Sequence, residues 1–240
     1  MKSWHSALYT DPIPMMILLF VGTLALSLFA SWRVKSAYNK YSKLPASSGL
    51  TGAEIAQRIL DISGIQDVTI HAQPGTLTDH YDPSHRRLVL SEQNYYGTSV
   101  AALGVSAHEC GHAIQHQQLY APLKWRMAAV GITGIASQVV MWVPLVGGAF
   151  LGMRPGLMIS IMAIGMGILM LFQLITLPVE FDATARAKKL IAQTGAVAPG
   201  TETAGMNSVL SAAAMTYVAA FISSLAYFLF YVLRMLGDRR

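Results

Sequence analysis

The sequence predicts an α-helical integral membrane protein with about four transmembrane helices and one small α+β domain outside the bilayer, and three observations lead there. Of the 240 residues, 53% are hydrophobic and only 12% charged, about half the charged share of an ordinary soluble domain. Runs without any Asp, Glu, Lys or Arg cover residues 12–32, 127–153, 155–179 and 203–233, which is 21, 27, 25 and 31 residues. A helix needs roughly 20 apolar residues to cross about 30 Å of hydrocarbon, so each run is long enough to span. Most of the rest falls in one stretch, 34–126, whose 93 residues suffice for one small domain.

Residues 1–33 read as an N-terminal anchor: a short polar leader, then a span followed at once by Arg33, Lys35, Lys40 and Lys43. A cleavable signal peptide carries its positive charge ahead of the apolar run, where only Lys2 and the terminus sit here, so an uncleaved anchor with its N-terminus outside is expected. Cleavage after Ala30 is the alternative. The anchor's orientation places 34–126 in the cytoplasm, 127–179 as a transmembrane hairpin turning at Arg154, 180–202 as a cytoplasmic helix, and 203–240 as a last span and tail. Counting Lys and Arg gives twelve on the cytoplasmic side against five outside (Lys2, Arg154, Arg234, Arg239 and Arg240), as the positive-inside rule requires. The three arginines at the C-terminus weigh against it, and a re-entrant hairpin in the 31-residue run would return them to the cytoplasm.

Within 34–126 the balance is eight basic to seven acidic residues, so the net charge of +5 makes no basic patch and nucleic acid is excluded as a partner. A single cysteine, Cys110, excludes a disulfide framework. Thr51-Gly52-Ala53-Glu54 is a capping box ahead of Ile55, Ile59 and Ile62 on one helix face, and Gly64 ends that helix. Val68 and Ile70 alternate with polar neighbours as in a strand, and a hairpin around Asp82 leads into a second strand, Arg87 to Leu90. This second strand is expected to offer an edge on which an extended peptide adds as a further strand. Thr98 or Ser99 then caps a helix running to about His116. Elsewhere Met158, Met162, Met166 and Met170 form a packing or lipid-facing stripe, and Gly148 with Gly152 is a small-residue pair suited to close helix contact.

Six of the seven histidines fall in 34–126, and two of them stand in His108-Glu109-Cys110-Gly111-His112. Residues four apart share a helix face, so both imidazoles can meet one metal ion, with Glu109 one step round beside a metal-bound water. Seven His and five Glu in 240 residues would produce this pentamer by chance on the order of 0.004 times, so the match is informative. Imidazole suits zinc, and three protein ligands leave the fourth position open for catalysis. The expected reaction is peptide hydrolysis, in which zinc activates water and Glu109 takes and then returns its proton.

A third ligand must come from later in the chain, because the histidine that would follow His112 by six residues is Gln118. Glu180 follows the third span directly, on the same side of the membrane as His112, and is the preferred ligand; Asp182 is the alternative. His116, one turn beyond His112, is either a substrate or outer-shell residue or a plain surface histidine, and Cys110 is a packing residue. Arg186 either faces substrate or simply supplies positive-inside charge.

Nearly the whole chain resembles the YugP-type neutral zinc metallopeptidases, integral membrane proteins of bacteria related in arrangement to HtpX-like proteases. The resemblance rests on the N-terminal anchor, the Leu77–Leu90 segment with His80-Tyr81-Asp82-Pro83, the Ala101–Val105 lead-in to the His108–Gln115 helix, and Leu177-Pro178-Val179-Glu180-Phe181-Asp182-Ala183. It implies a zincin-like domain facing the cytoplasm of a multi-pass inner (plasma) membrane protein. His108, His112 and Glu180 would hold one zinc per chain, with Glu109 as base and protein or peptide substrates. HtpX-like enzymes carry an Asp four residues after the ligand Glu, where this chain has Thr184, so Asp182 is left to supply any carboxylate that steadies a ligand histidine. Quality control or processing of membrane proteins is the expected setting. The rival reading is a non-catalytic scaffold or assembly factor with a structural zinc site. A transporter is disfavoured because the spans hold no ionisable residue for an ion path. No feature of the sequence fixes an oligomeric state.

Overall fold

The structure is a computed structural model and describes residues 12–148 and 150–237. The polar leader with Lys2, and Arg239 and Arg240 at the other end, lie outside the described residues. In chain order the elements are α1 (Pro12–Tyr41), α2 (Gly52–Ile62), β1 (Thr69–Gln73), β2 (His80–Asp82), β3 (Arg87–Ser91), α3 (Glu92–Tyr95), α4 (Val100–Gln117), α5 (Ala121–Trp142) with a π-helical continuation Val143–Gly148, α6 (Pro155–Thr194) and α7 (Thr201–Gly237). Four helices are long and apolar enough to cross a membrane: Ile13–Tyr41, Ala121–Gly148, Pro155–Thr194 and Thr201–Gly237.

The chain divides into two compact units, the first built from the described residues up to Phe29, Trp125–Thr176 and those from Tyr217 onward. Its large side chains, among them Leu18, Phe29, Ile135 and Ile164, are exposed over much of their surface. A contiguous apolar exterior of this extent is stable only against lipid. Met162 is buried and Met158, Met166 and Met170 are half-buried, as expected of a packing stripe. The expected glycine pair is corrected: Gly148 closes the π-helical turn, whereas Gly152 lies beyond it at φ +57, so the two share no helix face. The re-entrant alternative for the last run also falls, because α7 is one uninterrupted 37-residue helix.

The second unit, Ala30–Lys124 with Leu177–Thr216, carries the small sheet. α2 begins where the sequence places it. The Thr51 hydroxyl accepts from Glu54 N–H while the Glu54 carboxylate accepts from Thr51 N–H, so two donors left unpaired at the helix start are satisfied. The sheet has the order β1-β3-β2, with β1 parallel and β2 antiparallel to β3. The expected hairpin around Asp82 is present, but β3 is the central strand: of the peptide-docking edge expected at Arg87–Leu90, Arg87, Leu88 and Val89 are already paired on both sides and Leu90 with β1. Local alternation could not have revealed this, since the parallel partner β1 comes from earlier in the chain.

α4 is capped by Ser99, whose hydroxyl accepts from Ala102 N–H. Its inner face joins Ile55, Ile59, Leu60, Leu88, Leu90, Ile191 and Met206 in one core, and Cys110 is wholly buried among them. α6 runs unbroken through Pro178 for 40 residues, about 60 Å and twice the bilayer core, so Leu177–Thr194 belongs to the second unit.

Candidate metal centre

Two helices of the second unit build the site. α4 presents His108 and His112 on one face four residues apart, and α6 presents Glu180 two residues after Pro178. The helices meet closely because position 111 is a glycine: a Cβ there would lie 2.7 Å from the carbonyl oxygen of Ala183 and 3.1 Å from its Cα. That approach brings Glu180 to the imidazoles. Its Oε2 lies 3.3 Å from His108 Nε2 and 3.6 Å from His112 Nε2, and the ligand atoms of all three residues lie within 4.8 Å of one another.

The donor set fits zinc. Bonds of roughly 2.0–2.1 Å from a tetrahedral ion leave neighbouring ligand atoms about 3.4 Å apart, close to both observed separations. A direct hydrogen bond between imidazole and carboxylate would be shorter. The Glu180 side chain is 2% exposed, and two imidazoles and a carboxylate gathered in a buried place without a cation would be an expensive arrangement.

It is Glu180, not Asp182, whose oxygen stands with the two histidines. The Asp182 carboxylate faces elsewhere, accepting from Gln115 Nε2 at 2.8 Å and from Arg186 Nε at 2.5 Å. Asp182 therefore touches neither ligand histidine directly. The Thr184 hydroxyl, at the position where a carboxylate was missed in the sequence, lies 3.3 Å from His108 Nδ1 and takes the supporting place. His112 Nδ1 is 3.0 Å from Gln115 Oε1. Arg186 turns to Asp182, to Gln118 Oε1 at 2.7 Å and to the Tyr120 ring, so the structure gives it structural partners rather than an open position at the imidazoles. His116 lies apart from the triad, its Nδ1 2.9 Å from the Tyr81 hydroxyl. Burial, with the charge of Arg86 adding to it, lowers the His116 pKa, and burial pushes that of Tyr81 up to about 12.

Glu109 is 8% exposed and follows His108 on α4. Burial raises its pKa against the opposing pull of the two imidazoles. Burial works against charge on His112, but Glu180 and Glu109 outweigh it and hold its pKa above the ordinary value. The arrangement can bind a divalent cation and keeps a carboxylate beside it whose proton affinity lies above that of a free glutamate. Sequence reasoning does not find Gln115, because a glutamine one turn after a histidine is unremarkable until its partners on α6 are known.

A family model described as "Putative neutral zinc metallopeptidase" matches residues 16–236. A relative from Bacillus subtilis (strain 168), named "Putative membrane protease YugP", is 48% identical over 228 residues, which is 93% of this chain and 97% of that protein. No solved structure matches the chain.

Proposed function

The chain belongs to the neutral zinc metallopeptidase family, and on that premise we propose that it is a membrane-embedded zinc endopeptidase in which His108, His112 and Glu180 hold the metal and Glu109 is the general base. The convergence of the three ligand atoms within 4.8 Å, with Glu109 adjoining on the same helix, carries the reading. Bound there, zinc supplies Lewis acidity, lowering the pKa of a water and polarising a peptide carbonyl. His108 and His112 would contribute Nε2 and Glu180 its carboxylate, so the three ligands together would supply a single negative charge to the ion. Glu109 accepts a proton from the attacking water at its carboxylate and delivers it to the leaving amine nitrogen. Its raised proton affinity favours the first half of that transfer, because a carboxylate with a very low pKa would take the proton poorly.

The substrates of this reading are proteins in or beside the membrane. The metal centre faces the cytoplasm of the inner membrane, supported by Arg33, Lys35, Lys40 and Lys43 directly after the first apolar run. Quality control or processing of membrane proteins is the setting that fits this reading. The rival reading keeps zinc for stability alone in a membrane scaffold.

Zinc content and casein cleavage of detergent-purified protein separate them, wild type beside Glu109→Gln and Glu180→Ala. Wild type should hold one zinc and cleave, Glu109→Gln should keep zinc and lose at least a hundredfold in rate, and Glu180→Ala should lose both. Wild-type cleavage unaffected by Glu109→Gln, or zinc retained at full occupancy in Glu180→Ala, would sink the assignment. A zinc-bound protein that cleaves nothing in any form would favour the scaffold.

A further inference from the structure

Behind His112 runs a chain of polar side chains that the metal-binding reading does not use: Gln115, Asp182 and Arg186. Gln115 is wholly buried. Its side-chain nitrogen lies 2.8 Å from Val179 O and 2.8 Å from Asp182 Oδ2, and its side-chain oxygen lies 3.0 Å from His112 Nδ1. The orientation of an amide is ordinarily ambiguous, since oxygen and nitrogen look alike. Here chemistry decides it. A backbone carbonyl can only accept, and so can a carboxylate that already takes a hydrogen bond from Arg186 Nε. The atom facing both must be the NH2 group, with each of its hydrogens used. The opposite end is then the carbonyl, an acceptor, and His112 must present a donor to it. His112 therefore carries a proton on Nδ1, and in the neutral ring that metal binding requires this leaves the lone pair of Nε2 directed at the Glu180 side of the site.

Resting on the zinc-site reading above, we propose that Gln115 is a positioning residue that sets the tautomer and ring angle of His112 for metal binding. Asp182, held by Arg186, in turn sets the orientation of Gln115. The same amide bonds α6 at Val179, the residue before Glu180, so one side chain ties the second histidine to the helix that carries the third ligand. Among the described residues His108 has no equivalent. Its Nδ1 partner is the Thr184 hydroxyl, which both donates and accepts and so enforces neither tautomer. The two histidines thus differ, with His112 preset and His108 adjustable. This assigns to Asp182 and Arg186 a role neither as ligands nor as substrate contacts, but as the fixed end of the chain.

The test is zinc affinity, measured by competition with a chromogenic chelator on the full-length protein in detergent. Gln115→Met keeps the volume and removes every hydrogen bond; it should weaken zinc binding about 10- to 100-fold, the usual effect of losing an outer-shell partner. Gln115→Glu retains an acceptor for His112 but sets it against Val179 O and the Asp182 carboxylate, and should also weaken binding. Adding Asp182→Asn supplies an NH2 donor for the new carboxylate, so the double variant should bind zinc at least fivefold more tightly than Gln115→Glu alone. A purely structural glutamine would show no such rescue. Wild-type affinity in Gln115→Met overturns the proposal, as does a double variant no better than Gln115→Glu, and the second comparison stands even if the Met variant fails to fold. Wild-type protein that takes up no zinc would instead overturn the zinc-site reading itself, and this proposal with it.

Discussion

Gly111 shows how one missing side chain positions a site made of others. It belongs to the His-Glu-X-X-His pentamer but ligates nothing; its contribution is the space that lets Ala183 of α6 approach α4. In Gly111→Ala the new methyl meets backbone at 2.7 Å, and backbone cannot turn aside as a flexible side chain can. The helix gains about 1 kcal/mol of propensity from the alanine and loses about 1–3 kcal/mol to overpacking. Thermal stability of the metal-free protein should therefore fall by no more than about 2 kcal/mol, while separation of Glu180 from the imidazoles should weaken zinc binding about tenfold or more, comparable with losing an outer-shell partner. Parallel melting and chelator-competition curves check this, and unaltered affinity would refute it. Thr184 and Asp182 teach a related lesson. Counting residues from Glu180 suggested that Asp182 must steady a histidine; the hydroxyl of Thr184 does so at His108, and Asp182 acts on His112 only through Gln115.

Among the elements, α2 is the one whose start is most fully encoded locally. Thr51→Ala removes the hydroxyl that accepts from Glu54 N–H and should cost about 1 kcal/mol, read as a lowered melting temperature at neutral pH. The Glu54 carboxyl is held below the usual range by the Thr51 backbone N–H first and its hydroxyl second. A carboxyl depressed in the folded state contributes stability that is fully present above its unfolded pKa of about 4.3 and is lost as pH falls through the folded value. The gap between wild type and Thr51→Ala should therefore narrow in melts taken progressively below pH 4. A gap that widens on acidification would contradict the capping box as the origin of the difference. The sheet is the opposite case. Its strands were legible from alternation and turn residues, but the central place of β3 depends on a parallel pairing with β1, with the whole of β2 intervening in sequence. Strand order is decided by what packs beneath the sheet, and here Leu88 and Leu90 of β3 are the residues driven to zero exposure.

At the scale of the whole molecule the open question is which side of the membrane holds the second unit. Ser84, exposed in the turn between β2 and β3, is a suitable reporter because the native thiol, Cys110, is fully buried. With the metal centre in the cytoplasm, Ser84→Cys should react with a membrane-impermeant maleimide in inverted vesicles and remain unlabelled in intact spheroplasts. Labelling of intact spheroplasts would reverse the orientation and, with it, the class of accessible substrates.

The sequence alone determined the membrane class, through four charge-free runs, and placed His108 and His112 four residues apart on one helix face. Both are local properties: hydrocarbon thickness sets the length of a run, and helix geometry sets the four-residue spacing of two ligands. The sequence also narrowed the third ligand to two acidic residues. Choosing between Glu180 and Asp182 required the tertiary structure, because they stand two positions apart on α6 and so point about 160° away from each other. Only the rotation of that helix against α4, permitted by Gly111 and held by Gln115, decides which carboxylate turns to the imidazoles and which turns to Arg186.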